Sequence, residues 1–164
     1  MKNPNQVIAM MATSTHTTGI DIYQQFFKED KKAKHILSQW CLDFGQTYHG
    51  SMLAIKHHCK VTQRLPVCIS VAHQLLFYPI AISHDQLLWI KYYPLGFCKK
   101  IDQHTTHVQV SATIVLEVPV NIRMIKRQLT LAHTFFSKLH AVNAPITQQS
   151  ILISTNQLAR VGIV

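Results

Sequence analysis

The sequence predicts an α+β fold: one domain with an antiparallel sheet, curled toward a barrel, and helices packed on it. Three observations carry this. A chain of 164 residues fits one domain and can bury a core without disulfides. Between Phe44 and Val120 short β-branched and aromatic runs follow one another with turn signals and no crossover helices, which implies antiparallel pairing. After Val120 a helical period sets in.

In order along the chain, Val7 to Ala12 reads as a short strand and the Thr-rich stretch Thr13 to Gly19 as a loop. Asp21 is placed to cap a helix carrying Ile22, Gln25, Phe26 and Glu29. That helix runs into the mixed charges of Lys28 to Lys34, read as a solvated face. The strand expectations are Met52–Val61, Val67–Val71, Leu75–Ile82, Leu87–Tyr93 and Thr113–Val120. Turns fall at Gly45 and Gly50, Arg64 to Pro66, Ser83 to Asp85, Pro94 to Gly96 and Asp102 to Thr106. Asn121 then caps a helix whose apolar side is Ile122, Ile125, Leu129, Ala132, Phe136 and Leu139, with Pro145 beyond its end. The tail from Gln148 to Val164 is expected as a docked strand or a contact surface.

Charge narrows the function. Sixteen Lys and Arg against seven acids give +9, and the pI is near 9.6, so the expected partner is a polyanion. Charged residues are only 14% of the chain and apolar ones 48%, so this is not a disordered, polar chain. No stretch is long enough to span a bilayer; Leu75 to Ile82 is short and broken by Pro79. The N-terminal apolar run is too brief for a secretory leader, which predicts a cytoplasmic setting where Cys41, Cys59, Cys68 and Cys98 stay reduced and pack as small apolar groups.

Catalytic and cofactor chemistry find no foothold. Glu29-Asp30 is the only adjacent acid pair, and it sits in the surface charge run. Nucleophile-elbow, phosphate-loop and dinucleotide fingerprints are missing, so no cofactor is expected. Of the eleven histidines, His57-His58 would point to opposite faces of a strand, and His104 and His107 with Cys98 lack a fourth metal ligand. A small metal or Cys/His enzyme stays as one alternative, which stoichiometric zinc in purified protein would revive.

The nucleic-acid signal is stronger. Lys56, Lys60 and Arg64 lie on or just after one expected strand, the first two on the same face. Lys91, Lys99 and Lys100 follow, and Arg123, Lys126 and Arg127 crowd the start of the last helix. Cations there oppose the helix dipole, which suggests that an anion is expected nearby. Lys can neutralise phosphates, and Arg suits a narrow, electronegative minor groove over A/T tracts; Arg64 and Arg123 are the expected groove readers. A basic RNA-binding or anionic-membrane module remains the other alternative.

Several motifs in fixed order bear a resemblance. Cys41-Leu42-Asp43-Phe44-Gly45-Gln46-Thr47-Tyr48-His49-Gly50 resembles the C-x-x-[FY]-G-x-S-x-x-G signature of the competence transcription factor (ComK) family. Leu65-Pro66-Val67, Leu76-Phe77-Tyr78-Pro79-Ile80, Trp89-Ile90 and Leu116 to Asn121 resemble later family segments, so that Ile36 to His140 is covered well. Trp40 stands where relatives tend to have Ser, and Ser51 where a basic residue commonly follows the glycine. The resemblance implies a transcription activator of DNA-uptake genes in Gram-positive bacteria. It implies double-stranded A/T-rich boxes bound chiefly through the minor groove by dimers or paired dimers. It further implies control by an adaptor and a Clp-type protease, and an encounter with RNA polymerase.

Overall fold

The computed structural model describes residues 1–142. A six-stranded antiparallel sheet forms the middle layer. Its strands are β1 (Val7–Ala12), β2 (Thr17–Asp21), β3 (Phe26–Glu29), β4 (Val67–Ser70), β5 (Leu75–Ala81) and β6 (Leu87–Lys91), in the order β3-β2-β1-β6-β5-β4. A second antiparallel sheet holds β7 (Cys98–Asp102), β8 (Thr105–Gln109) and β9 (Val115–Val118) in that order. Three helices complete the fold: α1 (Ala33–Asp43), α2 (Tyr48–Cys59) and α3 (Ile122–Val142). The expected α+β class stands. Both sheets are open and end in edge strands, so the curl does not close into a barrel.

The middle strands are continuously apolar because both faces of the sheet are covered. In β5, Leu75 and Phe77 join a core with Val7, Leu37, Trp40 and Trp89, while Leu76, Tyr78 and Ile80 join another with Val108, Ile125 and Phe135. Alternate residues therefore serve opposite layers. One face lies under α1; the other lies under α3 and the second sheet. In β1 both Val7 and Met10 reach the α1 side, three residues apart, because the register slips between Val7 and Ala9. Pro79 is tolerated in β5 because β4 pairs only as far as Phe77, leaving that side of Pro79 free of a ladder.

Edge strand β4 is sealed by side chains from the helical corner. Ser51 Oγ accepts from Cys68 N at 2.8 Å and donates to Cys68 O at 2.9 Å, and Gln46 Nε2 donates to Cys68 O at 2.6 Å. The corner turns at Gly45, whose φ of +78° favours glycine. Thr47 Oγ1 then caps α2 by accepting from Gly50 N at 2.9 Å.

Several regions depart from the sequence expectation: α1, β7 and β8 form where no helix or strand is expected, and Gly50 lies inside α2 and not in a turn. Asp21 ends β2 and caps no helix. Its Oδ1 accepts from Tyr23 N at 2.9 Å and Gln25 N at 3.0 Å, bending the chain into the β2–β3 hairpin. Accordingly the loop expected over Thr13 to Gly19 is confined to its first half, since Thr17 already pairs with Ala12 and Glu29. Most of the strand expected over Met52–Val61 is helix instead: Met52–Cys59 is the C-terminal part of α2, Lys60 is its C-cap and Val61 lies beyond it. Tyr48, Ser51, Met52, Ile55 and Cys59 recur at helical spacing, and Ser51 and Ile55 are fully buried. The last helix follows expectation: Asn121 Oδ1 accepts from Arg123 N at 2.8 Å. Its most buried side chains are Ile125, Gln128, Leu131, Ala132 and Phe135, with Leu129 and Phe136 at the margin. Pro145 and the Gln148–Val164 tail lie outside the described residues.

Candidate nucleic-acid interface

The loop between α2 and β4 carries two of the expected cations in unusual backbone. Lys60, the C-cap of α2, has φ 56°, and Arg64 has φ 51°. Glycine or asparagine is the ordinary occupant of the left-handed region, at lower cost than a long side chain. Helix α3 holds this loop. Gln128 Nε2 donates to the Arg64 carbonyl at 2.8 Å, and Arg127 donates to the Gln63 carbonyl at 3.3 Å. Further along, Lys138 Nζ donates to the His58 carbonyl at 2.6 Å.

Three adjoining depressions connect the cations. Arg64 and Arg127 border a cleft of about 410 Å3 with Gln63, Met124 and Gln128. Arg64 also borders a larger one, about 730 Å3, together with Lys32, Lys34, Tyr48 and Trp89. Lys34, Tyr48 and Lys56 line a third, about 490 Å3, with Thr47 and His49. Because neighbouring depressions share Arg64 and then Lys34, the path Lys56, Lys34, Lys32, Arg64, Arg127 is continuous. Its acidic content is one rim residue, Asp85. The Lys34 ammonium lies 5.5 Å over the Tyr48 ring.

The remaining expected residues sit apart or alongside. Arg123 and Lys126 are exposed on the first turns of α3, with Arg123 four residues before Arg127 and hence on the same helix face. Lys60 is exposed beside His58, whose proton affinity is lowered by burial and then by His57, Lys138 and Lys60. Lys91 is half-buried, its ammonium donating to the Asn5 carbonyl at 2.8 Å, and burial lowers its pKa. Leu87 and Trp89 of the same strand border the large depression, but Lys91 borders none of the three. Lys99 and Lys100 are exposed on β7 in the second sheet and border none of the three depressions.

The histidines that drew attention in the sequence have local partners. His57 and His58 are neighbours on α2 with ring centroids 4.9 Å apart, not on opposite strand faces. His107 Nε2 lies 3.1 Å from Glu117 Oε1 across β8 and β9, and His104 N donates to Asp102 Oδ1 at 2.7 Å in the β7–β8 turn. Among the described residues no three His, Cys, Asp or Glu side chains gather as a metal site, and no helix is long and apolar enough to cross a membrane.

Lys32 and Lys34 escaped the sequence reading, which took their run as a solvated face. The signal was present: α1 begins at Ala33 with Lys32 as a cap that makes no side-chain bond and with no acid in its first turn. That is the same dipole-opposed crowding that marked Arg123 to Arg127.

The family model described as ComK protein matches residues 5–143. The chain belongs to the ComK family. That match takes in all twelve described elements, and it makes this a member of a family of transcription factors of competence, not of enzymes. Within the ComK-like chain the signature Cys41 to Gly50 is the corner that joins α1 to α2 and bonds edge strand β4, a structural duty. No curated protein and no solved structure matches the chain.

Proposed function

We propose that this chain activates transcription of competence genes by binding double-stranded A/T-rich DNA through the minor groove. The observation that carries the reading is the joining of Arg64 and Arg127 at one cleft, continuous with Lys32, Lys34 and Lys56. Phosphates of a duplex meet the lysines, and the arginines enter the groove, where a narrow A/T tract concentrates negative potential. Arg123, on the same face of α3 as Arg127, extends the reach of the pair. Minor-groove contacts separate A·T from G·C but barely A·T from T·A, so tract spacing matched to a dimer or paired dimers supplies the rest of the specificity. The protein acts in the cytoplasm, and an adaptor with a Clp-type protease and RNA polymerase are its further partners in this reading.

The test is a gel shift on duplexes bearing A and T tracts against G·C-rich duplexes, with and without a minor-groove-binding drug. Tight, drug-sensitive binding to the A/T duplex alone is expected. Equal affinity for both duplexes, or indifference to the drug, would overturn groove reading.

A further inference from the structure

We propose that the cleft between Arg64 and Arg127 is also a single-nucleotide site, in which the two guanidiniums take a phosphate and the Gln128 side-chain carbonyl accepts from an N–H of the base. Gln128 is the observation that points to a ligand. Its side chain is 2% exposed, its Nε2 is committed to the Arg64 carbonyl, and its Oε1 has no hydrogen-bond partner. A buried amide oxygen left without a donor is costly, by about 1–3 kcal/mol, and most such groups in folded proteins are satisfied. The residue lines a cleft of about 410 Å3, within the roughly 300–1,000 Å3 range of small-ligand sites.

The rest of the lining fits the same ligand. Pro79, Ile80, Ala81 and Met124 give the cleft apolar lining for a flat ring. Arg127 spends one donor on the Gln63 carbonyl, which leaves most of its planar fork free, and the Arg64 side chain has no partner among the described residues. Two guanidiniums suit a phosphate's oxygens better than they suit a neutral sugar. An acceptor-only floor selects bases that offer amino or imino N–H groups, and guanine offers both at one edge.

The same chemistry is carried by a free mononucleotide and by a nucleotide turned out of a DNA strand. This site shares its arginines with the DNA-binding reading but not Gln128, so the two can fail separately.

Isothermal titration with guanosine monophosphate and with ribose 5-phosphate at one ionic strength tests it. The two probes carry the same phosphate, so the arginines treat them alike, and only the first has a base. Wild type is expected to prefer the nucleotide by about tenfold. Gln128→Met should erase that preference and leave ribose 5-phosphate binding unchanged. Because this variant also frees the Arg64 carbonyl, Ala81→Leu serves as a second probe: it enlarges the apolar lining, keeps Gln128, and should likewise erase the preference. Equal binding of both probes by wild type, the outcome if water satisfies Gln128, overturns the proposal; so does a preference that survives both variants. Duplexes with and without one unpaired guanine separate the sources. Weakening of the unpaired duplex alone by Gln128→Met marks a strand-borne nucleotide, and no change on either duplex marks a free one.

Discussion

Gln128 Nε2 bonds the carbonyl oxygen of Arg64 at 2.8 Å, so a buried residue of α3 fixes a left-handed residue of the loop that follows α2. The bond links two parts of the sequence 64 residues apart and fixes the backbone from which the Arg64 side chain extends. A cation held there at a conformational cost is expected to act through its side chain and not through its backbone.

That separation makes Arg64→Gly informative. Glycine enters the left-handed region without the cost of about 1 kcal/mol that a side chain incurs, and it loses a comparable amount through its freer unfolded chain. Folding stability in urea should therefore stay within about 1 kcal/mol of wild type, whereas affinity for an A/T-rich duplex should fall by about 1–3 kcal/mol. Fluorescence anisotropy alongside the urea titration reads both. Unchanged affinity would remove Arg64 from the interface.

Ser51 gives the opposite kind of residue, one that matters to the fold alone. Its hydroxyl completes both outward-facing backbone groups of Cys68 on edge strand β4. Gln46 still reaches the Cys68 carbonyl when Ser51 is lost, but the amide N–H is left buried and unpaired. Ser51→Ala is expected to lower stability by about 1–3 kcal/mol. Intrinsic DNA affinity of the folded fraction should not change, and a binding defect at temperatures where the variant is fully folded would contradict this division.

The core of the fold was legible where burial is two-sided or strictly helical. Val67–Ser70, Leu75–Ala81 and Leu87–Lys91 stand out because both faces of the sheet are covered, and α3 because Ile125, Ala132 and their neighbours keep a 3.6-residue period. Tyr48–Cys59 was misread because Ser51, a polar residue, occupies a core position; leaving it out breaks the helical stripe and exposes the run Leu53-Ala54-Ile55 as if it were a strand. Asp21 was misread because one chemistry, a carboxylate accepting from backbone two and four residues on, serves a hairpin here as readily as a helix cap. Of the site, the sequence marks Arg64 and Arg127 by type but not as neighbours. Their meeting depends on Gln128 and Gln63, side chain and backbone that no local pattern singles out.

Acid should act first on the β2–β3 hairpin. Asp21, 1% exposed, is held below its ordinary value of 3.8, first by the Gln25 N–H and, against the opposing effect of burial, also by Lys2 at 3.0 Å and the Tyr23 N–H. The folded form thus binds a proton less readily than the unfolded form. Its contribution is present above the unfolded pKa and is lost as pH falls through the lower folded value. Asp21→Asn keeps an acceptor for the two N–H groups but no charge, and should flatten the decline of the urea midpoint below about pH 4. Asp102, lowered chiefly by the His104 N–H, leaves a residual slope in that variant. An acid limb identical to wild type would exclude Asp21 as its source.

Salt dependence distinguishes the connected cations from the scattered ones. Each phosphate neutralised releases counterions worth about 0.9 in the slope of log affinity against log salt, so the five residues from Lys56 to Arg127 together account for a slope of about −4.5 if each meets one phosphate. Arg127→Ala and Lys34→Ala should each reduce that slope by about 1, because both border the connected depressions. Lys91→Met should leave it unchanged: that ammonium is bonded to the Asn5 carbonyl, and Lys91 borders none of the three depressions. Methionine keeps most of the side chain's apolar length, so packing survives the substitution. Equal loss of slope for Lys91→Met and Arg127→Ala would mean that positive charge acts through its sum and not through a path, and the interface assigned to Arg64 and Arg127 would then have no special standing.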